Sequence, residues 1–135
     1  MSPNRGWAGA ILLPVLLASC MGEIFGPERP IVRTSVRIQG TVVSREGGGA
    51  VSNAKVVLGT GGHFSLPAVY ASTATDESGI FRLSGTVPHY ADGCGAWVEV
   101  TAPAFKSWSS QGGDVDIHCT SSEQTILVRL TPLGS

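Results

Sequence analysis

From Val36 onward the chain consists of short runs rich in valine, isoleucine, threonine and aromatic residues, separated by clusters of Gly, Pro, Asn, Asp and Ser; no stretch has helical period. This pattern predicts an all-β domain. The expected strands are residues 36–44, 54–60, 69–75, 80–86, 96–102, 114–119 and 124–131, and seven short strands suggest a two-sheet sandwich. Strict alternation assigns faces. Val36, Ile38 and Val42 oppose Arg37, Gln39 and Thr41, while Ile126, Val128 and Leu130 oppose Leu127 and Arg129. The first set of each is expected in the core, completed by Val56 with Leu58, Phe81 with Leu83, and Val98 with Val100. Between the third and fourth strands, Asp76-Glu77-Ser78-Gly79 reads as a tight turn that makes a hairpin: the acids accept backbone hydrogen bonds and Gly79 tolerates positive φ. Two adjacent carboxylates without further oxygen ligands make a poor calcium site.

The N-terminal residues have another character. Arg5 and the terminal amine precede an apolar run at 8–18 and then small residues, the layout of a secretory signal. A membrane-spanning helix needs about 20 apolar residues, whereas this run is shorter, contains Pro14, and is followed by Gly22 and Glu23. Its closing segment, Leu17-Ala18-Ser19-Cys20, resembles the lipobox of bacterial lipoproteins. The resemblance implies that residues 1–19 are removed as a signal peptide, that Cys20 receives a thioether-linked diacylglycerol, and that its new amine is acylated, for example by palmitate. Two or more acyl chains, at about 0.8 kcal/mol per buried methylene, hold a protein stably at a membrane. Met21 differs from the aspartate that retains such proteins at the inner membrane, so the outer membrane is favoured in a double-membraned cell. Residues 20–35, with Gly26, Pro27 and Pro30, read as a flexible tether, and 36–135 as one domain.

Without Arg5 the nine Lys and Arg become eight, against ten Asp and Glu, a net charge of −2. Nothing in this balance resembles a nucleic-acid surface. With Cys20 taken by lipid, Cys94 and Cys119 form an even pair in a chain routed to an oxidising compartment, where a structural disulfide is the expectation. A thiolate metal site with neighbouring His118 fits no zinc spacing, and neither metal nor cofactor is expected.

The order Ile38-x-Gly40-Thr41-Val42, then Gly49-Ala50-Val51-Ser52-Asn53-Ala54-x-Val56, then Thr73-Ala74-Thr75-Asp76-x-x-Gly79-x-Phe81-x-Leu83, then Val98-x-Val100-x-Ala102-Pro103-x-Phe105 is similar to the carboxypeptidase regulatory-like domain. The resemblance covers Val36 to Leu130. It implies a seven-stranded Greek-key sandwich of the transthyretin-like (prealbumin-like) type, and a non-catalytic accessory role in folding, spacing or binding. The chain departs from that family at Ala104, where a glycine usually precedes the aromatic, and in a longer second loop at 59–67.

Enzymes on related sandwiches make poor templates. The hydroxyisourate hydrolases use a C-terminal Tyr-Arg-Gly-Ser segment, whereas this chain ends Leu133-Gly134-Ser135. The intradiol dioxygenases hold iron with two tyrosines and two histidines. Tyr70, Tyr90, His63, His89 and His118 are available here, but the closely spaced histidine pair is absent. His89-Tyr90-x-Asp92 reads as a solvated loop before Cys94, and Lys55 as an outward lysine with no isopeptide partner. Neither a Gly-x-Ser-x-Gly elbow nor a phosphate-binding glycine loop occurs.

Exposed aromatics are the remaining candidates. Trp97, Phe105 and Trp108 cluster near the fifth strand, with His63 and Phe64 in the long loop. If Val98 and Val100 face the core, Trp97 faces outward, where it can stack on a sugar or anchor a protein partner. Alternatively Trp108 folds back over the sandwich edge and Trp97 merely covers sheet. The sequence thus predicts a lipid-anchored cell-envelope protein whose sandwich binds an envelope protein or a glycan, or gives structural support. A carbohydrate-binding module and a small hydrolase or metal enzyme are the alternatives.

Overall fold

The computed structural model describes residues 30–61, 68–113 and 115–134. Cys20, the proposed signal, His63 and Phe64 lie outside these residues. Among the described residues the chain is all-β, in two sheets. The first contains β1 (Ile31–Ser44), β4 (Ile80–Tyr90) and β7 (Glu123–Leu130) in the order β4-β1-β7. The second contains β2 (Lys55–Thr60), β3 (Ala68–Ala74), β5 (Ala96–Thr101) and β6 (Trp108–Ser109) in the order β3-β2-β5-β6. All pairings are antiparallel except β1 with β7, which is parallel.

Alternation along the strands builds the core. Val36, Ile38, Val42, Phe81, Leu83, Ile126, Val128 and Leu130 of the first sheet meet Val56, Leu58, Val98 and Val100 of the second in one buried cluster, as their period of two requires. Full burial of such a side chain contributes roughly 1.5–3 kcal/mol, so this layer between the sheets makes the fold a β-sandwich. Phe81 lies over Gly40, its cross-strand partner, where a Cβ would come within 2.3 Å of the ring.

The Asp76 turn forms. One carboxylate oxygen of Asp76 accepts from the Ser78 and Ile80 amides at 2.9 Å, the Gly79 amide donates to the Asp76 carbonyl, and Gly79 takes φ +76°. It does not make a hairpin. β3 belongs to one sheet and β4 to the other, so the turn carries the chain across the sandwich. The buried Thr75 hydroxyl anchors this crossing, donating to the Val51 carbonyl at 2.7 Å and accepting from the Ala54 amide at 2.9 Å.

Three boundaries differ from expectation by more than one residue. β1 begins at Ile31, so residues 31–35 are strand, paired with 86–90 of β4, and not tether. β4 runs on through His89 and Tyr90, which are therefore strand and not loop. The strand expected at 114–119 is absent among the described residues there, and the sixth strand is the two-residue β6 on the outer side of β5. The misreading has a physical cause. Val115, Ile117 and Cys119 point inward and Asp116 and His118 outward, so the run alternates like a strand without joining a ladder. The Gln124 side chain stands in for one, its amide accepting from the His118 N–H at 2.8 Å and donating to the His118 carbonyl at 2.6 Å.

Candidate functional site

The candidate aromatics do not share one face. In β5, Val98 and Val100 are fully buried, so Trp97 and Glu99 lie on the outer side of the sheet. Trp97 is half-buried because its benzo ring covers Gly59, its partner on β2; a Cβ on Gly59 would fall 2.4 Å from that ring and 2.8 Å from the Ala68 carbonyl. Trp108 pairs directly with Val100 and therefore faces inward, packed against the core, as Phe105 also is. Register thus separates Trp97 from Trp108. Alternation alone gave the face of Trp97, but that of Trp108 depends on a two-residue pairing that no sequence period announces.

Trp108 instead lines a groove of about 440 Å³ along the side of the sandwich where β6 and β7 are the outermost strands. Its other walls are Val115, Asp116, His118, Arg45 and the run from Gln124 to Leu127 with Arg129. The guanidinium-bearing residues Arg45 and Arg129 are exposed, as are Asp116 and His118. Charge of both signs therefore rims a partly apolar floor. The sequence singled out His118 only as a metal neighbour; the groove itself arises from where residues 115–122 run on from β6 toward β7.

That crossing is fastened by a disulfide. Cys94, just before β5, is bonded to Cys119, just before β7, with the Cα atoms 5.5 Å apart and a sequence separation of 25. Closing a loop of this length removes about 3 kcal/mol of unfolded-state entropy in the chain model. Ile117, which the bridge holds in place, is buried in the core. Ser110 completes the other end, its N–H donating to the Val98 carbonyl and its hydroxyl accepting from the Val98 amide, each at 2.9 Å.

His89 is buried near the start of the segment that the disulfide holds. Its Nδ1 lies 2.8 Å from the Tyr90 carbonyl and 3.1 Å from that of Gly93, both acceptors, so this nitrogen carries the proton; Nε2 lies 2.8 Å from the Thr34 hydroxyl. Both ring nitrogens are thus engaged in holding the 90–93 turn against β1. Among the described residues no three His, Cys, Asp or Glu side chains come together as metal ligands. The buried Thr60 hydroxyl, on the inner face of β2, has no hydrogen-bond partner among the described residues.

Ala104 occupies the left-handed region at φ +68°, which favours glycine. It introduces a short clip at 104–106. The Lys106 amide donates to the Thr131 carbonyl and the Leu133 amide to the Ala104 carbonyl, both at 2.9 Å, around a bridge between Phe105 and Pro132.

Neither a protein-family model nor a curated protein matches the chain. Among solved structures it is similar to a 9R-lipoxygenase from Cyanothece PCC8801, at 11% identity and a TM-score of 0.48, over 73% of this chain and 16% of that one. It is also similar to the shaft pilin SpaA from Lactobacillus rhamnosus GG, at 15% identity and a TM-score of 0.45, over 76% of this chain and 49% of the pilin. The chain therefore spans about half the length of the pilin and a sixth of the lipoxygenase.

Proposed function

We propose that this is a lipid-anchored cell-envelope protein, held through Cys20 and favouring the outer membrane, whose β-sandwich is a non-catalytic accessory domain for binding or structural support. The observation that carries the reading is Leu17-Ala18-Ser19-Cys20 closing an apolar run, because a thiol preceded by small residues is what lipid transfer and peptide cleavage require. The domain belongs, on this reading, to the Greek-key transthyretin-like type of the carboxypeptidase regulatory-like family. Two features support that assignment: the Asp76–Gly79 turn with Phe81 opening the next strand into the core, and the left-handed backbone at Ala104, where that family has glycine. The non-catalytic role is supported by His89, whose nitrogens both serve the fold.

Intact mass of the protein from its native membrane, beside a Cys20→Ala form, tests the anchor. An acylated cysteine at the N-terminus, absent from the variant, is expected; an unmodified Cys20 overturns the anchor. Stoichiometric metal in the same sample overturns the non-catalytic reading. Glycan binding is a second reading, favoured by the half-exposed Trp97 indole on the outer sheet face. It predicts a change of tryptophan fluorescence on glycan titration that Trp97→Ala abolishes.

A further inference from the structure

The outer edge of β7 is the place where the sheet can continue. The Arg45 amide donates to the Leu130 carbonyl at 2.7 Å, so the peptide groups of Leu130 face β1. Direction alternates along a strand, and Glu123, Thr125, Leu127 and Arg129 therefore present their N–H and C=O groups away from β1. No described strand pairs with them. The window has defined ends. Beyond Arg129 the clip occupies the edge, with Lys106 on Thr131, and before Glu123 the chain turns at 120–122, where the Ser122 amide reaches the Thr120 hydroxyl and Arg37 the Ser121 carbonyl.

The opposite edge of this sheet is treated differently. The Val42 amide donates to the Gly79 carbonyl, which by the same alternation turns Arg82, Ser84, Thr86 and Pro88 of β4 toward solvent. Pro88 has no N–H to offer there, a device that blunts an edge. β7 carries no proline, and Leu127 is 44% exposed on it.

We propose that the occupant of the β7 edge is β7 of a second copy of this chain, antiparallel across a two-fold axis at Ile126. Antiparallel ladders join residues whose peptide groups face each other, so odd positions must meet odd positions. With the axis at Ile126, Glu123 faces Arg129 of the second copy and Thr125 faces Leu127, each twice by symmetry. Shifting the axis to Thr125 or Leu127 keeps the hydrogen-bond parity but sets Glu123 against Leu127, or Thr125 against Arg129. The Ile126 axis is the register that both fills the open window from 123 to 129 and matches its charges, since Glu123 and Arg129 are exposed on the same outer face. About eight backbone hydrogen bonds join the strands, two for each facing pair, and the closed two-fold consumes the β7 edge of both copies, so this contact does not propagate a filament. Arg45, Trp108 and Val115 then wall the incoming strand from below. The pairing is independent of the anchor and of the accessory-domain reading.

Sedimentation equilibrium of the full chain in detergent, over a range of concentrations, tests it. The wild type is expected to dimerise reversibly. Arg129→Glu sets like charges opposite one another twice and weakens the dimer by at least about tenfold, and the double exchange Glu123→Arg with Arg129→Glu restores it. Leu127→Pro abolishes the dimer while leaving the melting temperature close to wild type, because the amide it removes bonds to nothing among the described residues. If Leu127→Pro does not fold, the charge exchange decides alone. A wild type that stays monomeric at all concentrations overturns the proposal, as does a dimer indifferent to Arg129→Glu. A monomer that loses a different envelope protein on Leu127→Pro also overturns it, assigning the edge to a foreign strand.

Discussion

Where β3 gives way to β4, the two sheets are joined by the chain itself; where β6 faces β7, they are joined by a disulfide, a buried isoleucine and a side-chain amide. On the first side one tight turn makes the crossing, and the strands approach so closely that a Cβ on Gly85 would lie 3.1 Å from that of Ala71 and 3.2 Å from the Tyr70 carbonyl. On the second side the described residues of 110–113 and 115–122 make the crossing without a ladder of their own, held by Cys94–Cys119 and Gln124. The first side is closed by local geometry and the second by contacts distant in sequence. Among the described residues, the second side carries the groove lined by Trp108 and an edge that no proline blunts.

The largest test of this contrast is Gly79→Val. A side chain there must adopt φ +76° and would begin 2.5 Å from the Val42 carbonyl, a combined strain and overpacking of about 4 kcal/mol. Urea denaturation should show the midpoint falling accordingly; a loss under about 1 kcal/mol would mean that the turn does not set the crossing. Replacing Cys94 and Cys119 together by alanine should destabilise the domain by about 3 kcal/mol. Hydrogen exchange then sharpens the comparison, with protection lost first in β5 and β7 and last in the β1–β4 pairing. Uniform loss would show that the two sides are one cooperative unit.

Two buried threonines give smaller effects of opposite sign. Thr75→Val strands the Val51 carbonyl and the Ala54 amide and should cost about 2 kcal/mol. Thr60→Val removes a buried hydroxyl that bonds to nothing among the described residues, and thermal melting should show a gain of about 1 kcal/mol. Smallest is Ala104→Gly, which relieves the left-handed strain at φ +68° but loosens the unfolded chain, for a net gain of about 0.5 kcal/mol. A destabilised glycine variant would show that the alanine methyl packs usefully in the clip.

The same contrast explains which parts of the molecule were legible in its sequence. Alternation names most inward residues of β1, β2, β4, β5 and β7 from Val36 to Leu130, because burial on one face of a pleated strand leaves a period of two; it leaves out Thr60 and Val87, the latter buried beyond the expected end of β4 at residue 86. The Asp76–Gly79 turn was equally readable, being local, although its strands divide between sheets, and sheet membership is not a local property. Residues 114–119 alternate because Ile117 plugs the core and Cys119 is bonded, not because a ladder forms, so period alone misnames them. Trp108 faces inward through its partner Val100, eight positions earlier in sequence. The β7 edge was invisible for the same reason: which strands lie outermost is decided by sheet order, and no residue in β7 declares it.

The strand that leaves the described domain at residue 30 is β1, the middle strand of its sheet, hydrogen-bonded along one flank to β4 and along the other to β7. A pull on residue 30 directed along β1 therefore loads both ladders in shear, and many bonds must yield together instead of unzipping one at a time. An outermost strand in that position would peel. If the attachment is the lipid on Cys20, drag between envelope and surroundings enters the sandwich at its mechanically strongest strand, and the weaker elements, β6 and the 104–106 clip, lie off the path that carries the force.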